Sequence, residues 1–289
     1  MTDTCSGILV GPRTFGTFQM RGQPIKEARD WPAWDNRKEV TIDRRFDVGL
    51  AIKCDPPPVM REMCDRLIMD VLDLWWSNHR LMKMEPARYW KSIYSQHRFD
   101  DLIATSPASQ ESMQLALPGV PVQLVPHAAD PRVRSDWYDP NGPIVYAGAR
   151  VFVDKCRSVV TEAAKYIDKR IVWDYDHNAW RSLNGASLVL AIRMPPYNSM
   201  LNRIAKPQVK VANAAQAGIP VLCTDDPAII SLWPDLADVC APVRDFDHVS
   251  KVKVWLKKAL AHAPPIAQFT HQAWFQQMEQ LIGEGTHEG

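Results

Sequence analysis

The 289-residue sequence lacks a charge excess, a membrane-length apolar run and a close pair of cysteines. Its 34 Lys and Arg residues against 33 Asp and Glu give a net charge of +1, which excludes attachment to DNA or membranes through bulk charge. The longest apolar run, residues 186–192, is far shorter than the roughly 20 residues that span a bilayer. We therefore expect no membrane partner.

Secretion signals are also missing. The first ten residues lack the basic and apolar pattern of a signal peptide. The six cysteines, at positions 5, 54, 64, 156, 223 and 240, contain no Cys-x-x-Cys pair, and such wide spacing indicates reduced thiols. The sequence predicts a soluble protein of the cytoplasm, which would be the host cytoplasm if the protein is viral.

Common nucleotide and hydrolase motifs are absent as well. Gly7, Gly11 and Gly16 do not have the spacing of the dinucleotide fingerprint, so a nicotinamide cofactor is disfavoured. The chain contains neither a nucleophile elbow nor a P-loop lysine motif. What it does contain is the composition of a folded protein, with 46% hydrophobic and 23% charged residues.

Strand and helix patterns alternate along most of the chain. Apolar runs bounded by Gly and Pro predict strands at 6–10, 46–53, 101–105, 122–125, 144–147, 170–173, 187–192 and 221–224. Helical spacing predicts helices at 60–76, 89–97, from 108, 156–166, 178–183, 208–217 and 266–282, whereas 19–45 is predicted to be mainly loop. Strands separated by helices of this length predict parallel sheets of the α/β class, covered on both faces.

Length and composition predict two doubly wound domains. Residues 131–143 contain Pro131, Pro140, Asn141, Gly142 and Pro143, a composition typical of a linker. We expect a first domain at 1–130, a second at 144–265, and a C-terminal helical segment, 266–289, that packs back on the first. Because ligands of such folds bind beyond the carboxyl ends of the strands, a cleft between the domains is the expected site.

Two groups of cations follow predicted strands or begin predicted helices. Arg150 and Lys155 follow a glycine turn, where they could neutralise a diphosphate. Arg203, Lys206 and Lys210 surround a helix start, where lysines repel the helix dipole unless an anion lies between them. The alternative for both groups is a solvated cationic surface.

Three further features could carry chemistry. His127 follows a strand and a proline, and could act as an acid–base group or be a structural hydrogen-bond donor. Asp174 and Asp176 form an Asp-x-Asp pattern that could hold a divalent metal, and Asp225-Asp226 is a second acidic pair; both are more commonly helix caps.

A basic and aromatic stretch lies at residues 79–98. Arg88, Trp90 and Lys91 belong to it, and cations interleaved with aromatic rings can follow a phosphate backbone and stack on exposed bases. The alternative is an amphipathic helix with a solvated basic face. Trp75 and Trp76, just before it, are predicted to be core residues.

Several segments resemble the GT-B glycosyltransferases. Residues 101–106 and the run Val125-Pro126-His127-Ala128-Ala129-Asp130 are similar to the end of the first domain in that fold, and 144–155 resembles the opening of the second. Residues 206–222 resemble the donor-site helix. The sequence departs from the retaining members, which hold two glutamates separated by seven residues, because Ala205 and Asn213 stand at the matching positions.

The resemblance implies two Rossmann-like domains that face each other across a cleft, and a sugar transferred from a nucleotide diphosphate donor to an acceptor hydroxyl. The donor would bind a set of cations and one amide: Arg150, Lys155, Arg203, Lys206, Lys210 and Asn213. His127 would be catalytic, and neither a metal nor a cofactor other than the donor is expected.

For the acceptor, we expect a hydroxylated base in double-stranded DNA, as modified by certain phage-type glucosyltransferases, bound by Arg88, Trp90 and Lys91. A glycan or a small molecule is the alternative acceptor. Two further alternatives are a nucleotide-sugar or nucleic-acid binding protein without turnover, which the alanine at position 205 keeps open, and a metal-dependent transferase that uses Asp174 and Asp176.

Overall fold

The computed structural model describes residues 6–11, 16–35, 44–54, 56–71, 84–176, 179–206 and 208–283, apart from the side chains of residues 16 and 17. The chain divides into two units. The first comprises Met1–Pro126, Met200–Pro207 and Gln272–Gly289, and the second comprises His127–Ser199 and Gln208–His271. None of the described helices is long and apolar enough to cross a membrane.

The first unit is built on a six-stranded sheet in which every strand pairing is parallel. Its strands are β1 (Gly7–Val10), β2 (Ala33–Trp34), β3 (Phe46–Ile52), β4 (Cys64–Asp70), β5 (Asp101–Ala104) and β6 (Val122–Leu124). They lie in the order β2-β1-β3-β4-β5-β6. In β3 every side chain except that of Asp47 is buried, which is typical of a parallel strand covered on both faces.

The helices of the first unit, numbered in chain order, come from three separate parts of the chain. They are α1 (Gly16–Arg29), α2 (Val59–Met63), α3 (Pro86–His97), α4 (Pro107–Ala116), α6 (Met200–Ala205) and α10 (His271–Gly283). The helix predicted from 108 is α4, which begins at Pro107 and is capped by Ser106, whose hydroxyl accepts the Ser109 N–H at 3.1 Å. Near the end of the chain, the Arg29 guanidinium pairs with Glu279 of α10 at 2.9 Å.

The second unit is built on a five-stranded parallel sheet. Its strands are β7 (Ile144–Ala147), β8 (Ile171–Asp174), β9 (Leu188–Ala191), β10 (Val221–Thr224) and β11 (Cys240–Ala241). Its α-helices are α5 (Arg157–Lys165), α7 (Val209–Ala217), α8 (Pro227–Leu232) and α9 (Val249–Leu260). Short 3₁₀ helices are formed by Arg150–Phe152, Ala179–Leu183, Pro234–Val239 and Val243–Asp247.

Strand order locates where each unit can bind a ligand. The second sheet runs β11-β10-β9-β7-β8, so the chain reverses its direction of growth between β7 and β9; in the first sheet the reversal lies between β1 and β3. Loops that leave two such strands diverge to opposite faces of the sheet and leave a crevice at its carboxyl edge. The predicted α/β class with two parallel sheets is confirmed.

Two predicted elements are wrong. The predicted helix at 60–76 ends at Met63, and the following residues form the central strand β4; residues 72–83, which include Trp75 and Trp76, lie outside the described residues. A strand buried on both faces is continuously apolar and imitates helical spacing. The predicted loop at 19–45 contains α1 and β2, because Pro24 and the buried Arg21 obscure the apolar face of α1.

The segment predicted as a linker, 131–143, belongs to the second unit. Val133 is buried in the core of that unit, and the Asp139 N–H donates to the Ala186 carbonyl at 3.1 Å. Proline and glycine mark a stretch without regular structure, but they do not distinguish a surface loop of a domain from a connection between domains.

Candidate functional site

The crevice of the second unit begins at Gly148, the residue after β7. A Cβ at this position would lie 2.8 Å from Cε and 2.9 Å from Nζ of Lys210, and the residue has a φ of +150°, which L-residues rarely adopt. Only glycine therefore allows the Lys210 side chain to lie directly against the turn. Of the predicted donor-binding cations, Lys210 is the one that the structure brings to the glycine turn.

Aromatic rings hold the Lys210 ammonium in place. Its Nζ lies 4.8 Å from the centroid of the Tyr146 ring and 5.9 Å from that of Phe152. Lys210 belongs to the first turn of α7, where the positive end of the helix dipole disfavours a cation. The cation–π contacts offset that repulsion, so the ammonium stays where an anion could meet it.

Tyr146 stabilises the glycine turn through a hydrogen bond. Its hydroxyl donates to the Ala149 carbonyl at 2.9 Å, and burial raises the pKa of the phenol. The hydroxyl is therefore protonated at neutral pH, as this hydrogen bond requires.

The loop after β9 forms the other side of the crevice. The Met194 N–H donates to the Phe152 carbonyl at 2.9 Å, and the Tyr197 ring packs edge-on against Phe152 at 5.2 Å. From the same loop, buried Arg193 donates to Asp226 at 2.9 Å. The loops after β7, β9 and β10 are thus joined at the carboxyl edge.

Sequence reasoning missed Arg193 and considered Asp226 only as a metal ligand or helix cap. Asp226 does precede α8, but its side chain makes no capping hydrogen bond and instead pairs with Arg193. The sequence offered only one indication of Arg193, namely an arginine directly after an apolar strand. An arginine in that position has many structural explanations.

Arg150 and Lys155 lie farther out on the same loop. Both are exposed, and Arg150 Nε donates to Asp154 at 2.8 Å, which raises the pKa of the guanidinium. Lys155 makes no ion pair with any residue that the structure describes. A diphosphate that bound Arg150 would have to compete with Asp154, so the donor-binding role of these two residues remains a prediction.

Asn213 of α7 is buried and held by the backbone. Its Oδ1 accepts the Asp130 N–H at 2.8 Å, which identifies the acceptor end of the amide. Within the described part of the chain its Nδ2 has no hydrogen-bond partner. The end of Asn213 left for a ligand is therefore a donor.

His127 is buried, and a neighbouring carbonyl sets its tautomer. Nδ1 lies 2.8 Å from the Ala128 carbonyl oxygen, which can only accept, so Nδ1 carries the proton in this contact. A neutral ring then has its lone pair on Nε2. The catalytic role of His127 remains a prediction.

The remaining predicted site residues belong to other elements. Arg203 and Lys206 belong to the first unit, where the Lys206 N–H donates to the Asn202 carbonyl, and their role at a donor site remains a prediction. Asp174 accepts from the Ser182 hydroxyl and from the Asp176 N–H. Across the described ranges, no group of three His, Cys, Asp or Glu side chains could hold a metal ion.

The predicted acceptor site needs a correction at Trp90. This residue is buried, donates its indole N–H to Ser112 at 2.9 Å and packs edge-on against Tyr89 at 4.8 Å, so it cannot stack on a base. Tyr89 and Trp90 occupy the buried face of α3 together with Ile93, as their helical spacing requires. Arg88 and Lys91 are exposed, and residues 79–83 lie outside the described ones.

No protein-family model and no curated protein matches the sequence. The pneumococcal O-GlcNAc transferase GtfA, in complex with UDP and GlcNAc, matches with a TM-score of 0.58 at 13% identity, over 83% of this chain and 57% of GtfA. AviGT4, a glycosyltransferase involved in avilamycin A biosynthesis, matches at 0.54 and 13% identity, over 96% of this chain and 97% of AviGT4. TarM from S. aureus matches at 0.48 and 10% identity, over 81% of this chain and 55% of TarM.

The fold is GT-B. The predicted fold class is therefore confirmed. The chain spans just over half the length of GtfA and TarM and nearly all of AviGT4.

Proposed function

We propose that the chain is a glycosyltransferase that moves a sugar from a nucleotide diphosphate to an acceptor hydroxyl. The observation that carries this proposal is the Lys210 ammonium held against Gly148 at the crevice of a GT-B fold. The presence of UDP and GlcNAc in the GtfA complex supports a nucleotide-sugar donor.

The chemical task fits a half-buried cation. The bond between the sugar C1 and the diphosphate oxygen breaks with its electron pair on the diphosphate, while the acceptor oxygen bonds to C1 and loses its proton. Negative charge therefore develops on the leaving group, and a preorganised ammonium away from bulk water stabilises it most effectively. Arg150, Lys155, Arg203 and Lys206 are proposed as further ligands of the diphosphate, and Asn213 is proposed to bind the nucleotide ribose.

His127 is the proposed acid–base group. With Nδ1–H directed to the Ala128 carbonyl, the neutral ring has Nε2 as its proton-accepting nitrogen. We expect His127→Asn to lower the turnover number with little change in donor affinity. Equal losses in turnover and in donor affinity would instead indicate a role in binding.

The decisive test of the donor site is Lys210→Met beside Lys257→Met. Lys257 is an exposed lysine of α9 and serves as the matched control. Nucleotide sugars that differ in base and sugar would be screened by calorimetry and by nucleotide release. We expect Lys210→Met to weaken the best donor by about tenfold or more, as the loss of a charge-assisted contact implies, and Lys257→Met to bind it normally. Equal affinities in the two variants would contradict the proposal.

The same screen separates the enzyme from a binding protein that has lost turnover. Release of nucleotide from even one donor favours the transferase. Tight binding with no release in the presence of any acceptor favours the binding protein, which the missing carboxylate at Ala205 motivates.

For the acceptor, we propose to test a hydroxylated base in double-stranded DNA first. Exposed Arg88 and Lys91 on α3 support it through phosphate contacts, although burial of Trp90 removes the expected stacking residue. A gel-shift titration at two salt concentrations should show salt-sensitive binding that Arg88→Ala/Lys91→Ala weakens. No binding at low salt would leave a glycan or small molecule as the acceptor.

A further inference from the structure

Asn213 is held by a loop that is itself tied down by an arginine. The Asp130 N–H donates to Asn213 Oδ1, and the Asp130 carboxylate binds Arg132 through both of its oxygens, at 2.8 Å to Nε and 2.6 Å to Nη2. The Arg132 backbone N–H adds a third contact, at 3.0 Å. A bidentate pair fixes direction as well as distance, so the Asp130 backbone cannot turn independently of Arg132.

Aromatic stacking fixes the guanidinium in turn. The Cζ of Arg132 lies 4.5 Å from the centroid of the Trp180 ring, and Trp180 stacks on Trp137 with centroids 6.0 Å apart and planes 7° from parallel. A planar guanidinium on an indole face loses much of its freedom to swing into solvent. A continuous series of contacts thus links Trp137 to the Asn213 amide.

We infer that Arg132 and Trp180 are positioning residues that direct the Asn213 Nδ2 as a hydrogen-bond donor toward a ligand oxygen. The inference rests on the proposed function, in which Asn213 binds the nucleotide ribose. Oδ1 already accepts the Asp130 N–H, so the end of the amide without a described partner is Nδ2, which can only donate. The ribose hydroxyl must therefore act as the acceptor in this contact.

The chain contains a matched control for the arginine. Arg134 and Asp136 form a second bidentate pair with the same two-residue separation, at 3.1 Å from Nε and 2.7 Å from Nη2. Both side chains are exposed, and neither contacts Asp130 or Asn213 among the described contacts. Removing Arg134 therefore reproduces the loss of a surface pair without affecting the amide.

The experiment compares Arg132→Ala with Arg134→Ala. The probe is whichever of ADP, GDP, CDP and UDP binds the wild-type chain most tightly in calorimetry, together with its 2′,3′-dideoxy counterpart. We expect Arg132→Ala to weaken the ribonucleotide about fivefold, the equivalent of one hydrogen bond, and to leave the dideoxynucleotide unchanged. Arg134→Ala should leave both unchanged.

Further variants guard against general damage to the fold. Arg132→Ala in an Asn213→Ala background should cost no additional affinity, because the contact that it positions is already gone. Trp180→Phe, which keeps a ring face, should retain most of the affinity that Trp180→Ala loses.

Each outcome decides a different claim. Equal effects of the two arginine variants, or an equal loss with the dideoxynucleotide, would overturn the positioning role while leaving the transferase proposal intact. Failure of the wild-type chain to bind any of the four nucleotides would overturn both.

Discussion

Each unit contains a buried Arg–Asp pair near the carboxyl edge of its sheet, and the two pairs differ in how much of the arginine is exposed. In the first unit, Arg21 of α1 meets Asp70 at the end of β4 through two bonds, 2.6 Å and 3.1 Å, with side chains 1% and 0% exposed. In the second, Arg193 Nη1 donates to Asp226 at 2.9 Å, and the Arg193 side chain is 11% exposed.

The difference indicates different tasks. Burial is the main influence on the Arg21–Asp70 pair: it lowers the pKa of the arginine and raises that of the aspartate, against the effect of their mutual attraction. This pair joins a helix to a central strand, away from bulk water. The Arg193–Asp226 pair joins two loops of the candidate site, where some solvent contact lowers the cost of burying charge.

The largest effect is expected for Asp70→Asn. It leaves a buried guanidinium without its counter-charge, and we expect the free energy of unfolding to fall by about 3–5 kcal/mol in urea denaturation. The double variant Arg21→Met/Asp70→Leu should recover most of that loss, since it buries no charge. If the free energy of unfolding of the Asp70→Asn variant fell by less than about 1 kcal/mol, which is typical of an exposed ion pair, the distinction between the two pairs would be contradicted.

The glycines that follow the first strand of each unit sharpen the contrast. A Cβ at Gly11 would lie 2.7 Å from the Ile52 carbonyl oxygen, which cannot move, whereas at Gly148 it would meet the flexible end of Lys210. We expect Gly11→Ala to cost about 3 kcal/mol of stability and Gly148→Ala about 1 kcal/mol.

Nucleotide affinity should show the opposite order, with the larger loss in Gly148→Ala. Gly148→Ala displaces Lys210 and should weaken nucleotide binding in calorimetry, whereas folded Gly11→Ala should retain it. If Gly148→Ala bound nucleotides like the wild type, the position of Lys210 would not matter to the ligand.

A smaller loss is expected for Asp226→Asn. The remaining amide can still accept from Arg193, and the arginine keeps some contact with solvent, so we expect a loss of about 2 kcal/mol in urea denaturation. Stability losses for Asp226→Asn and Asp70→Asn that agree within error would show that the two pairs are equivalent.

The smallest effect concerns Asp130. Despite the opposing effect of burial, its contacts with Arg132 lower the pKa of the carboxyl below the ordinary value of 3.8. A carboxyl whose pKa is lower in the folded than in the unfolded state stabilises the fold at a pH above its unfolded pKa. This contribution to stability is lost as the pH falls through the folded-state pKa. Asp130→Asn should therefore cost about 1 kcal/mol at pH 7 and progressively less as the pH falls below about 4. A difference that does not change with pH would refute the charged contact.

Prediction from the sequence succeeded where the signal was local. The glycine turn at Gly148 and the helix that carries Lys210 and Asn213 were both recognisable within a few residues. It failed where the deciding neighbour lies far along the chain: Asp130 and Asn213 are 83 residues apart, and Arg193 and Asp226 are 33 apart. Such pairings depend on strand order, which periodicity does not encode.

The sequence was enough to predict the α/β class, the position of the glycine turn and the chemical types of the candidate ligands, because apolar periodicity and turn chemistry act over one element at a time. The tertiary structure was needed to show that 64–70 is a strand, that Trp90 belongs to the core, and that Asn213 Oδ1 accepts the Asp130 N–H. Each of these depends on which residues pack against a side chain or donate a hydrogen bond to it, and those residues come from distant parts of the chain.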